Sequence, residues 1–180
     1  MQGLLLQKVL LEFLQSQYNM VTILLSILIL LIYTLVMIKI GGSIPPSLSA
    51  SVFDIPTNKR WIWTVVIITI CFLAVPTYID KTGVNTQFLS FLSIGGLAFV
   101  GAAPLVKFSD DKMQFRVHEV GAIVCAACSQ ILLAFNCPWL LLLWIPFIVY
   151  GFVNGWKTWK TMIFWGEMVC FSSTFIYCLI

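Results

Sequence analysis

Apolar and polar positions divide the chain into six long apolar runs with short polar breaks between them. The runs are Asn19–Ile38, Trp61–Ile79, Gln87–Val106, Arg116–Phe135, Pro138–Val153 and Lys160–Leu179. Most approach the ~18–20 apolar residues that a helix needs to cross a bilayer. Lipid offers backbone groups no hydrogen-bond partner, which leaves the helix as the natural state for such runs. The pattern predicts an all-α polytopic integral membrane protein, a bundle of six transmembrane helices forming one domain over 19–180. Residues 1–18 are expected to be a leader or an interfacial helix, because Leu4, Leu5, Val9, Leu11 and Phe13 make no clean stripe. Lys8 and Glu12 in this stretch do not fit a cleaved signal peptide.

The breaks are as informative as the runs. Gly41–Gly42, Pro45–Pro46 and Pro56 forbid a continuous helix between the first two spans, so 39–60 is expected to be a polar linker. Trp61 and Trp63 open the second span as an expected interfacial pair. Pro138 is placed to begin the fifth span after a tight turn at Asn136–Cys137. Pro76, Pro104 and Pro146 are expected to remove one helical hydrogen bond each, releasing the carbonyls of Phe72, Val100 and Leu142.

Composition agrees with this reading: 61% of residues are hydrophobic and 9% charged, with a mean hydropathy of +1.02. That leaves too little polar surface for a soluble globule. The net charge of +3 matters less than its placement. Lys39, Lys59, Arg60, Lys107, Lys112, Arg116, Lys157 and Lys160 fall in the breaks after spans one, three and five, against Lys8 and Lys81 on the opposite side. The bias predicts an inner-membrane protein with both termini outside and loops 39–60, 107–116 and 154–160 in the cytoplasm.

Candidate chemistry concentrates in spans four and six. His118, Gly121, Ala122, Cys125, Ala126 and Ser129 recur at three- and four-residue spacing and so share a helical face. Small residues on such a face let helices approach closely in lipid. Gly95, Gly96 and Gly101 in span three are the expected counterpart to Gly121, Ala122 and Cys125. Ionisable groups in the bilayer are costly and mark functional sites by default. The reading therefore places His118 and Glu167 together in a ligand or proton pocket between spans four and six, with Glu119 and Ser129. The bland alternative is that Glu167 is simply neutral and hydrogen-bonded to a backbone carbonyl. Arg116, Lys107 and Lys160 are expected to reach lipid headgroups.

Cys125 and Cys128 form a CxxC inside an apolar helix without a second pair, so neither a metal nor a cofactor is expected. Cys137 and Cys178 fall on the expected outer face, where an oxidising compartment and adjoining helix ends would let them pair. P-loop, dinucleotide, HExxH and GxSxG motifs are absent from the sequence, and nothing supports nucleic-acid binding.

The segment FVGAAP…RVHEVGA, in which a proline closes one helix and a histidine opens the next, resembles the DRAM-type family of small six-helix membrane proteins and a related bacterial family. The linker IPPSLSASVFD is similar in position to a Pro/Ser-containing segment of those proteins. The resemblance implies a six-helix fold, a polar pocket near His118 and a role touching lipids or membrane organisation. Three functions follow for testing. The first is a non-enzymatic protein binding a lipid or partner helices; the others are an oligomeric small-solute or proton-coupled transporter, and an intramembrane lipid-modifying enzyme using His118 with Glu167 or Glu119. The partners expected are membrane lipids and further copies of the chain.

Overall fold

The computed structural model describes residues 2–104, 106–107, 110–156 and 160–180, and side chains from residue 6 onward. Lys157 of the third expected basic loop lies outside the described residues, as do the side chains of Leu4 and Leu5. The described residues are helical or irregular, with no strand among them. Six helices follow in order: α1 (Gln2–Gly41), α2 (Trp61–Asp80), α3 (Gln87–Ala102), α4 (Lys112–Asn136), α5 (Trp144–Asn154) and α6 (Met162–Leu179). Four stretches, Leu6–Gly41, Thr57–Asp80, Lys112–Asn136 and Met162–Leu179, are long and apolar enough to cross a membrane, while Gln87–Ala102 and Pro138–Asn154 are shorter.

Helix α1 is continuous through residues 18–19, where the sequence suggested a boundary between leader and first span. At about 1.5 Å per residue its 40 residues extend about 60 Å, twice the hydrocarbon thickness of a bilayer. Its buried positions, Thr22, Ile23, Ser26, Leu30, Tyr33, Thr34 and Met37, follow the helical period and form one stripe against the other helices. Before Asn19 that stripe stops. Leu6, Val9, Leu10, Leu11, Phe13 and Leu14 are all exposed.

The helices run alternately between two ends. At one end the side chains of Gln15 and Asn19 reach Asp80, Asn136 donates to Thr86, and the Tyr177 hydroxyl donates to the Lys81 carbonyl. At the other, Tyr33 meets Ser51, Gln114 donates to the Pro104 carbonyl, and the Phe164 N–H donates to the Pro46 carbonyl. This second end carries Lys39, Lys59, Arg60, Lys107, Lys112, Arg116 and Lys160 and is called the basic end below.

The 39–60 linker is not a solvated connector. Pro45, Ser47, Leu48, Ser49, Ser51, Val52 and Ile55 are buried, and Ser49–Asp54 winds into a 3₁₀ turn tucked among the helices. Serine hydroxyls make this burial tolerable. Ser47 accepts from the Ala50 N–H, Ser51 donates to the Leu48 carbonyl at 2.6 Å, and Tyr33 closes on Ser51 at 2.9 Å. The expected Trp61/Trp63 pair also splits. Two residues apart on a helix point to nearly opposite faces, so Trp61 is exposed while Trp63 packs on Tyr33 with ring centroids 5.6 Å apart.

Two of the three prolines differ from expectation. Pro76 lies inside α2, but α3 has already ended at Ala102 when Pro104 arrives. Pro146 falls in the first turn of α5, where an N–H has no intrahelical partner to lose. The chain reaches that point through a 3₁₀ segment, Pro138–Leu143, which Pro138 opens.

Candidate functional site: an apolar cavity with an acidic end

Helix α4 has two working faces. On one, it touches α3 backbone to backbone. A Cβ built on Gly96 would lie 2.6 Å from the Gly121 carbonyl oxygen and 2.7 Å from the Cys125 nitrogen, and one on Gly121 would lie 2.8 Å from the Gly96 carbonyl oxygen. Only hydrogen fits in that contact. Ser93 completes it by donating to the Cys125 carbonyl at 3.2 Å. Gly101 serves a different neighbour, since its Cβ would strike Ile67 of α2 at 2.9 Å. Gly95 faces open space beside the α3–α4 contact.

The other face of α4 borders a cavity of about 410 Å³. Its walls come from α2, α3, α4, α5 and α6, and Leu48 and Ser49 of the buried linker close the basic end. Ala122, Cys125, Ala126 and Ser129 contribute from α4. Along α6 the lining runs from Met162 to Cys178, about 24 Å at the helical rise. Ile123 and Ile163 also line the cavity and are 61% and 58% exposed, so it opens to the outside between α4 and α6. Towards the far end that gap is tied shut. Gln130 donates to Ser173 of α6 at 3.3 Å and accepts from the Trp144 indole N–H at 2.9 Å.

Glu167 lines the cavity near its basic end and is held by the linker. Its Oε2 accepts the Leu48 backbone N–H at 2.5 Å, and Ser49 lines the cavity as well. Together with the Phe164 N–H on the Pro46 carbonyl, this makes a two-point clip between the linker and the first turns of α6. The clip supplies partners for backbone groups that neither water nor a helical ladder reaches.

His118 is elsewhere, and the expected His118–Glu167 pair is not made. The His118 ring is 4% exposed, and its Nδ1 lies 2.7 Å from the Ala103 carbonyl just past α3. A carbonyl only accepts, so Nδ1 carries the proton in this contact. Three further carbonyls at the end of α3 are taken by side chains: Val100 by the Trp63 indole, Gly101 by the Thr64 hydroxyl and Pro104 by the Gln114 amide. His118 is thus one of four side-chain donors from α2 and α4 that finish a helix which Pro104 stops.

The remaining sequence candidates separate likewise. Glu119 pairs with Arg116 at 3.0 Å on the exposed side of α4, outside the cavity. Lys107 and Lys160 are exposed at the basic end. Cys137 and Cys178 are both buried free thiols. Among the described residues no cluster of three or more metal-ligating side chains forms. Asp111, exposed ahead of α4, caps that helix by accepting the Gln114 N–H at 2.9 Å, a function that the three-residue spacing from Asp111 to Gln114 signals.

Sequence reading passed over three contributors: the linker residues Leu48 and Ser49, the carbonyl-binding Trp63 and Thr64, and Gln130. Gln130 had a usable signal, since an amide in mid-span needs partners as a carboxylate does. The linker had none, because its serines and prolines also fit an exposed turn. No family model matches the chain, and neither a curated protein nor a solved structure matches it.

Proposed function

We propose that the chain is a non-enzymatic membrane protein of six spans that takes a membrane lipid into the cavity between α4 and α6. The opening between Ile123 and Ile163 carries this reading, because it leads sideways from the exposed apolar surface into a long apolar bore. In a bilayer that surface faces acyl chains, and the bore offers them continuous apolar walls with a carboxyl group at the end nearer the opening. Six crossings fit the lengths. The 16 residues of α3 extend about 24 Å. The 3₁₀ rise of about 2.0 Å stretches Pro138–Asn154 to about 28 Å, close to the hydrocarbon thickness. The gathering of basic residues at one end supports placing that end in the cytoplasm.

Photolabelling in bilayers tests the reading. A long-chain hydrocarbon carrying a diazirine is expected to label the inward residues Cys170 and Phe171 as well as outward Val120. Ala126→Trp, which fills the bore, is expected to abolish the inward adducts and spare the outward ones. Labelling confined to outward residues in the unsubstituted protein removes lipid entry as the function.

A further inference from the structure

We infer that the cavity selects an amphiphile whose headgroup donates hydrogen bonds and carries no negative charge, such as a monoacylglycerol or a long-chain amine. The inference rests on the lipid-binding reading above and adds the chemical class of the occupant.

The lining runs about 24 Å along α6, and one leaflet of a bilayer is about 15 Å of hydrocarbon, so an acyl chain fits within its length.

The headgroup follows from charge. The opening lies at the same end as Glu167 and Ser49, so a chain entering tail first leaves its head beside them. Glu167 is the only Asp, Glu, Lys, Arg or His among the described lining residues. Arg60, in the same linker as Leu48 and Ser49, is turned onto the Phe53 ring at 5.4 Å from its centroid and does not line the cavity. A phosphate there meets a carboxyl group and no cation. A carboxylate has about four acceptor positions, and the Leu48 N–H takes one. Hydroxyl or ammonium donors from a ligand use the others.

Competition against the photolabel distinguishes this inference from the reading beneath it. Hexadecylamine and monopalmitoylglycerol are each expected to suppress the inward adducts at concentrations at least tenfold below those needed with palmitoyl lysophosphatidate. E167Q keeps an acceptor for the Leu48 N–H; it is expected to retain inward labelling while hexadecylamine loses its advantage over palmitoyl lysophosphatidate. Lysophosphatidate competing as well as the other two in the unsubstituted protein overturns the headgroup assignment and leaves lipid entry intact. An absence of inward labelling in the unsubstituted protein removes both. Because the three-way competition uses unsubstituted protein, the assignment stands or falls even where E167Q does not fold.

Discussion

The two faces of α4 solve opposite problems with the same kind of residue. Against α3, Gly96 and Gly121 bring backbones so close that no Cβ fits. Against α6, Ala122 and Ala126 are nearly as small, yet α6 stays back and the space remains a cavity. The difference lies in what holds the neighbour. Helix α3 is pinned to α4 by Ser93 and by the His118 and Gln114 donors at its end. Helix α6 is held off by the linker clip at Glu167 and by the Gln130–Ser173 contact, with room left between. Small residues therefore permit close approach but do not dictate it.

Crowding the two faces gives the largest expected contrast. Gly96→Val places methyl groups inside the Gly121 carbonyl and the Cys125 nitrogen, atoms that cannot move without shifting a helix. The expected cost is about 3 kcal/mol, at the upper end for overpacked interiors. On α6, a Cβ at Gly166 meets only the Phe147 ring at 3.6 Å, an ordinary contact. Gly166→Ala is expected to stay within about 0.5 kcal/mol of the parent. Denaturant unfolding in detergent measures both, and equal losses mean that the cavity wall at Gly166 is as tightly packed as the α3–α4 contact.

A smaller effect concerns the clip that holds α6. Glu167→Ala leaves the buried Leu48 N–H without an acceptor, at an expected cost of about 1–3 kcal/mol. Glu167→Gln keeps a carbonyl oxygen at that position and is expected to recover most of the loss. Thermal stability in detergent separates the two variants. If they fall equally, the Leu48 hydrogen bond is not what Glu167 contributes.

Much of the architecture is visible in the sequence, because apolar runs and helix breakers act locally. The all-helical character follows from the runs, whereas α3 ends at Ala102 and not at Val106, before the proline that was expected to lie inside it. The sequence also marks His118 and Glu167 as groups that need partners, from the cost of leaving a polar side chain unsatisfied in lipid. It cannot name the partners. Glu167 finds Leu48 at a separation of 119 residues, through a linker whose serines satisfy one another only once folded. His118 finds a carbonyl 15 residues away because α3 ends where it does. Similar depth along two helices made a pair of them on paper; the facing directions of α3, α4 and the linker give each its own acceptor or donor.

That separation carries the smallest expected number, a coupling energy. Residues in one hydrogen-bonded pair show interaction energies of about 0.5–3 kcal/mol in a double-mutant cycle, whereas sites without shared partners add to within about 0.5 kcal/mol. His118→Ala removes the donor for the Ala103 carbonyl, and Glu167→Ala removes the acceptor for the Leu48 N–H; neither partner belongs to the other site. The double variant is therefore expected to lose the sum of the two single losses, within that margin. Unfolding measurements on the four proteins of the cycle give the coupling directly. A value beyond about 1 kcal/mol joins the two residues after all, and with them the two faces of α4 that the structure keeps apart.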